Sequence, residues 1–203
     1  MNFNSLWFLF PGGPQERAIK SESQLKVQYY QNKMDGRIEE PVNGKRDIPE
    51  KFKTIPMSNK KIEAWKVQVG IGKTIFVASN VKIIPPVVDS IVTNLCKIDL
   101  INYARVTKED IYASNEIKII GRTKMPVSTP GHPSAVGVHL ILYFIFGGIQ
   151  FFEITSVSKG YGEKMVKAVV TAIPDNWEAA VVMDYSEGFW DKMSEKYDRI
   201  VML

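Results

Sequence analysis

Cysteine is nearly missing from this chain. Cys96 is the sole one among 203 residues, so neither an intrachain disulfide nor a cysteine-rich zinc site can form, and the cytoplasm is the compartment such usage fits. Histidine is almost as scarce: His132 and His139 are the two present, too few to build a metal site from, and a lone histidine is ordinarily structural. No basic residue precedes the apolar patch from Leu6 to Phe10, and Pro11-Gly12-Gly13-Pro14 ends it at once, so no secretory signal is expected. A long uninterrupted apolar run is lacking as well. The nearest approach, Val136 to Phe152, carries His139, Gln150 and a Gly147-Gly148 break, whereas a spanning helix takes about 20 apolar residues. Its Ile, Phe, Tyr and Val content predicts two buried strands joined at the Gly-Gly turn, and no membrane partner.

A dense charge of one sign is also absent. The net charge is +4, from 26 Lys+Arg against 22 Asp+Glu. Residues 1–64 hold 11 basic and 8 acidic residues, leaving 15 and 14 for the rest, so the basic excess lies in the first third. Nucleic acid is a weakly supported partner, because counterion release is driven by a denser basic cluster than this. A phosphate-binding P-loop is excluded at Gly70-Ile71-Gly72-Lys73-Thr74, since that motif has a glycine five positions before the one preceding its lysine, and Val67 stands there.

What remains is the composition of a compact protein, 45% hydrophobic and 24% charged, in two unequal parts. Residues 1–64 read as an irregular basic extension punctuated by Asp35-Gly36, Pro41, Asn43-Gly44, Pro49 and Pro56, with a helix or strand from Ser21. Residues 65–203 read as the folded domain. WKVQVGI and TIFVASNVKII alternate as a hairpin would; Pro85-Pro86 opens a helix with Val87, Val88, Ile91, Val92 and Leu95 on one face; Thr107 is placed to cap a short helix KEDIYA. EIKIIGRTKM reads as one strand, followed by the loop PVSTPGHPSA and the strand pair around Gly147-Gly148. FFEITSV then runs through SKGYG into the amphipathic helix EKMVKAVVTAI, and a strand EAAVVMD, a helix SEGFWDKMSEKY and a strand RIVML close the chain.

Chemistry gathers at Ser158-Lys159-Gly160-Tyr161-Gly162. A strand passing through a glycine turn directly into a helix exposes the unpaired N–H groups of the first helical turn, and the helix dipole favours an anion there. From Thr74 onward the expected order of elements, with KGYG and the later SEGFWDKMSEKY, resembles the GNAT superfamily of acyl-CoA-dependent N-acyltransferases along about 130 residues. The resemblance implies an α/β fold with a mixed sheet whose fourth and fifth strands splay around acetyl-CoA or another acyl-CoA. Its pantetheine arm would bond the edge of FFEITSV, and its pyrophosphate the amides from Ser158 to Glu163. Val157, Ser158, Lys159, Gly160, Tyr161, Gly162 and Glu163 are thus the implied cofactor residues, and no metal is implied. Gly160 and Gly162 match the family's two small positions. Val157 stands where the family has Gln or Arg, and Trp190 where many members have the tyrosine that protonates the departing thiolate; an indole is no useful acid. Glu153, Tyr185 and Tyr197 are the candidates for acid–base work. The implied activity is acyl transfer to an unidentified amine acceptor; a GNAT-like module without catalysis, or a modifier of nucleic acid acting through the basic extension, are the alternatives.

Overall fold

A computed structural model describes residues 57–127, 132–144, 147–182 and 184–203. The readings placed on residues 1–56, and the centre of the 126–135 loop, lie outside the described residues.

The chain enters as a helix, α1 (Asn59–Val69), where the sequence predicts a strand over WKVQVGI. Ser58 caps it by accepting from the Lys61 N–H, and Ile62 and Trp65, three apart, are its buried residues, while Val67 is 74% exposed. The alternation of Trp65, Val67 and Val69 is therefore incidental: Lys, Glu and Gln between them are good helix formers, and the cap decides the start. This helix runs across the 64/65 position. Trp65 Nε1 donates to Asp89 Oδ1 at 2.7 Å, tying it to the next helix.

That next helix, α2 (Pro86–Cys96), follows β1 (Thr74–Val77) and has the expected form, with Pro85 at its N-cap and Val87, Val88, Ile91, Val92 and Leu95 all buried. The helix expected at KEDIYA is instead a strand. Tyr103–Val106 (β2) and Asp110–Ser114 (β3) form a hairpin whose turn is closed by Thr107, its hydroxyl accepting from the N–H groups of Glu109 and Asp110. Thr107 makes the local bonds expected of a cap, but Ile111 and Ala113 pair on both sides into a sheet, and tertiary pairing overrides the local signal. EIKIIGRTKM is likewise two strands, β4 (Glu116–Ile119) and β5 (Arg122–Pro126), because Gly121 at φ 81° permits the tight turn between them.

Then come β6 (Val136–Tyr143) and β7 (Gly148–Ser156), the predicted pair, followed by α3 (Tyr161–Val170), β8 (Glu178–Val181), α4 (Phe189–Lys196) and β9 (Ile200–Met202). The result is a mixed α/β protein whose seven-stranded sheet has the order β1-β2-β3-β6-β7-β8-β9; β4 and β5 stand apart as a two-stranded arm. The pairs β1/β2, β7/β8 and β8/β9 are parallel and the rest antiparallel. Alternation gives the sheet two unlike faces. Ile75, Ala104, Val106, Ile111, Ala113, Val138, Leu140, Ile149 and Phe151 lie on one, buried in a single core with Leu95 of α2, Met165 and Val169 of α3, and Trp190 of α4. On the other lie Phe76, Arg105, Tyr112, His139 and Glu153, consecutive partners across β1, β2, β3, β6 and β7. No described helix is long and apolar enough to cross a membrane.

Candidate functional site

The sheet forks at β7. Its partner β8 pairs only from Gly148↔Glu178 to Phe151↔Val181, while β7 continues paired to β6 as far as Ser156↔Val136. From Phe152 onward one edge of β7 is thus without a strand partner among the described residues, presenting backbone groups to any extended chain carrying amides of its own. A bulge marks the fork: Leu140 pairs with Phe151 and His139 with Glu153, so Phe152 is an extra residue. Bulges bend a strand and sharpen its twist, which is how parallel neighbours come to diverge. Carboxyl ends of diverging parallel strands are the usual place for a ligand in open α/β sheets.

Beyond the fork the chain turns through Val157 to Gly160 into α3. Gly160 takes φ 84°, a left-handed conformation that a side chain disfavours, and nothing lies within 4 Å of where its Cβ would be. No side chain caps this helix. The Tyr161 N–H is satisfied by Ser158 O at 3.3 Å and the Lys164 N–H by Gly160 O at 3.1 Å; between them Gly162 and Glu163 have no intramolecular acceptor among the described residues. Two first-turn amides at a helix N-terminus, beside this strand edge, are donors of the kind an anion accepts from.

The other members of the turn have their own partners. Val157 is 61% exposed and Lys159 is exposed; the Ser158 carbonyl accepts from the Ser156 hydroxyl at 2.6 Å. The Tyr161 hydroxyl donates to Asp99 at 2.7 Å, which holds that carboxyl below its ordinary value. Glu163 is ion-paired with Lys196 of α4. Gly162 is a packing position: a Cβ there would meet the Phe189 ring at 3.2 Å.

Trp190 is buried at 4% exposure, with its ring 4.9 Å from that of Phe151, the last residue of β7 paired to β8. The indole fills the core under the fork. Tyr185, in the β8–α4 connection, is 86% exposed. Tyr197 is half-buried at the end of α4, next to Lys196 and packed against the core. Glu153 is half-buried on the face away from the helices, accepting from the Thr155 hydroxyl at 3.4 Å. The structure thus brings Glu153, Trp190 and the glycine turn to the two sides of one fork, and leaves Tyr185 exposed.

A cluster that sequence reasoning passed over lies beside Glu153. His139, its cross-strand partner, has Nε2 3.4 Å from Asp110 Oδ2, and its ring meets the edges of Tyr112 and Phe152 with centroids 5.9 and 5.1 Å apart. The contact is not aligned as a hydrogen bond, and this buried Nε2 has no hydrogen-bond partner among the described residues. Contact with His139 first, then the Thr107 hydroxyl and Arg105, outweighs burial and lowers the Asp110 carboxyl below its ordinary value. Burial raises Tyr112, whose hydroxyl donates to the Val127 carbonyl at the base of the β4–β5 arm. Tyr112, Gly137, His139, Glu153 and Thr155 line a cavity of about 10 Å³, room for one water. No signal in a linear reading joins Asp110 to His139 and Glu153, which come from three strands. Among the described residues no group of three or more His, Cys, Asp or Glu could hold a metal.

No family model, curated protein or solved structure matches this chain.

Proposed function

We propose that the chain is an N-acyltransferase with a GNAT-like fold, passing an acetyl or related group from acyl-CoA to an amine by direct attack on the thioester carbonyl. The observation that carries this is the fork itself, with the capless helix N-terminus next to it. A pantetheine arm has two amides to pair with the free edge of β7 from Phe152 to Ser156, and a pyrophosphate suits the unpartnered N–H groups of Gly162 and Glu163. Ser158, Lys159, Gly160 and Tyr161 shape the turn between these subsites, and Val157 offers no polar group to it. In such chemistry holding amine and thioester together supplies much of the rate.

One observation favours a second reading, a binding module without catalysis: Trp190 is sequestered in the core and gives the departing thiolate no acid. Calorimetry of the full chain with acetyl-CoA and with CoA tests what the two readings share. Saturable binding of both is expected, with a melting temperature that rises by mass action. Absence of heat and of any thermal shift overturns the acyl-CoA proposal. Thiol release from acetyl-CoA in the presence of primary amines separates an enzyme from a module.

A further inference from the structure

We propose that the β4–β5 arm docks the protein on double-stranded DNA, its ribbon entering the major groove with Ile120 leading. No residue of the arm belongs to the fork or to the turn before α3, so this role is independent of acyl transfer.

The fold itself gives the arm no task. None of the residues from Glu116 to Pro126 is part of the core, and a two-stranded ribbon is marginal in water without a third strand or a helix against it. Its root is nevertheless fixed. The Asn115 side chain donates to the Ser134 carbonyl at 2.9 Å and accepts from the Val136 N–H at 2.9 Å. Val127 donates its N–H to the Asn115 carbonyl and accepts the Tyr112 hydroxyl on its own carbonyl. At the far end Ile119 is 45% exposed and Ile120 fully so, and a Cβ on Gly121 would meet nothing within 4 Å. An element anchored at its root, apolar at its tip and outside the core has its partner outside the domain.

Charge identifies that partner. Residues 65–203 hold 15 basic and 14 acidic residues, yet the arm holds three basic to one acidic. The acid, Glu116, has a nearly buried side chain 3.7 Å from Lys124 Nζ and is neutralised there. Lys118 and Arg122 are exposed and have no acidic partner among the described residues. They stand on opposite strands, so each wall of a groove holding the ribbon meets a cation. The register shifts between Ile117 and Ile119, which sets Lys118 opposite Thr123 and Lys124 together. Like charges across a ribbon repel, and a phosphate between them removes the repulsion.

Two strands about 4.8 Å apart, widened by their side chains, suit the roughly 12 Å major groove of B-form DNA; that of duplex RNA is too narrow for side chains to enter. Thymine methyls on the groove floor give Ile120 an apolar contact. A bilayer suits the arm less well. Lys118 and Arg122 flank the tip directly, leaving Ile119 and Ile120 as its apolar surface, too little for stable anchoring.

The test measures fluorescence anisotropy of the full chain with a labelled duplex DNA of about 20 base pairs, the same sequence as single strand and as duplex RNA, and flotation with phosphatidylglycerol-containing vesicles. Expected is saturable binding of duplex DNA with a Kd on the order of 1–10 µM at about 50 mM KCl, and binding about tenfold weaker to the other two nucleic acids. Lys118→Gln with Arg122→Gln, both at exposed positions, should lower duplex affinity about tenfold and reduce the slope of log affinity against log salt by about 2, as each phosphate contact contributes roughly 0.9. Lys60→Gln with Lys61→Gln removes the same charge from exposed positions of α1 and should leave affinity within about twofold of wild type. Ile120→Ser should weaken duplex binding about threefold with the slope unchanged. Several results overturn the assignment: no duplex binding below about 100 µM, single strand or duplex RNA bound as tightly, or an arm double variant that keeps wild-type affinity and slope. So do a Lys60/Lys61 control that loses as much as the arm variant, and vesicle binding in place of DNA binding. Acetyl-CoA affinity should be the same in wild type and arm variant, so failure of acyl-CoA binding bears on the acyltransferase reading and leaves the arm's role standing.

Discussion

Replacing Gly162 by valine separates packing from anion binding, provided the packing cost is first removed. A Cβ at position 162 would stand 3.2 Å from two carbons of the Phe189 ring, about 0.5 Å inside an ordinary carbon contact of roughly 3.7 Å. Alanine would need the ring to give by a few tenths of an ångström, and valine adds two methyls beyond that. Overpacking of this kind costs about 1–3 kcal/mol, or roughly 2–4 °C of melting temperature for each kcal/mol in a chain of this length. Independently, a branched side chain beside the N–H groups of Gly162 and Glu163 holds a pyrophosphate away from them. Each charge-assisted hydrogen bond is worth about 1.5–3 kcal/mol, so breaking one or two reduces affinity on the order of tenfold to a thousandfold or more. Phe189→Leu removes the ring carbons that clash, so combining it with Gly162→Val should restore much of the melting temperature and none of the CoA affinity. Thermal melts and calorimetry on the two single variants and the double variant close the cycle. If the double variant recovers affinity along with stability, Gly162 acts through Phe189 alone and the anion site is elsewhere.

Deleting Phe152 should leave every other register pair of β6 and β7 intact while straightening β7, so the protein is expected to fold and to lose CoA affinity; a deletion variant that binds CoA as the wild type does would refute the link between bulge and fork. Asp110 has a lowered folded-state pKa, so its contribution to stability is complete above the ordinary carboxylate value and is lost as pH falls through the folded one. Melts of wild type and Asp110→Asn should therefore differ at pH 6 and converge below about pH 4. Cys96 is buried, which pushes its thiol up to about 11; iodoacetamide at pH 8 should label it only after denaturant is added, and rapid labelling of the native protein would contradict its place in the core.

Where one element is long and carries its own boundary signals, the residues dictate it without help. Pro85-Pro86 and five apolar residues on one stripe define α2, and the glycine turn with the Met165 and Val169 face defines α3. Short runs behave otherwise. WKVQV has three apolar residues in strand alternation and also the makings of a helix, and Ser58 with the Trp65–Asp89 bond selects the helix. DIYAS is a strand because β2 and β6 hydrogen-bond to either side of it, information that no window of five residues holds. In EIKIIGRTKM a single glycine at positive φ is the one sign that the run turns back.

The two halves of the site differ in the same way. The turn from Val157 to Glu163 is contiguous, so its glycines and the following helix announce it; the Asp110, His139 and Glu153 cluster is assembled by register from three strands, two of which are separated by the β4–β5 arm. His139 therefore reads in sequence as an isolated polar residue in an apolar strand. The bulge is what brings it together with Glu153. In β7 the apolar residues Ile149 and Phe151 face the helices, and strict alternation would then put Glu153 on that face, among Leu140, Met165 and Trp190, where an unpaired carboxylate costs several kcal/mol. Inserting Phe152 as the extra residue resets the parity, so that Glu153 and Thr155 face outward while Ile154 packs against the core. The free energy of avoiding a buried carboxylate thus stabilises the bulge, and the same bulge bends β7 away from β8: one unfavourable residue in an apolar strand both opens the fork and supplies the polar group beside it.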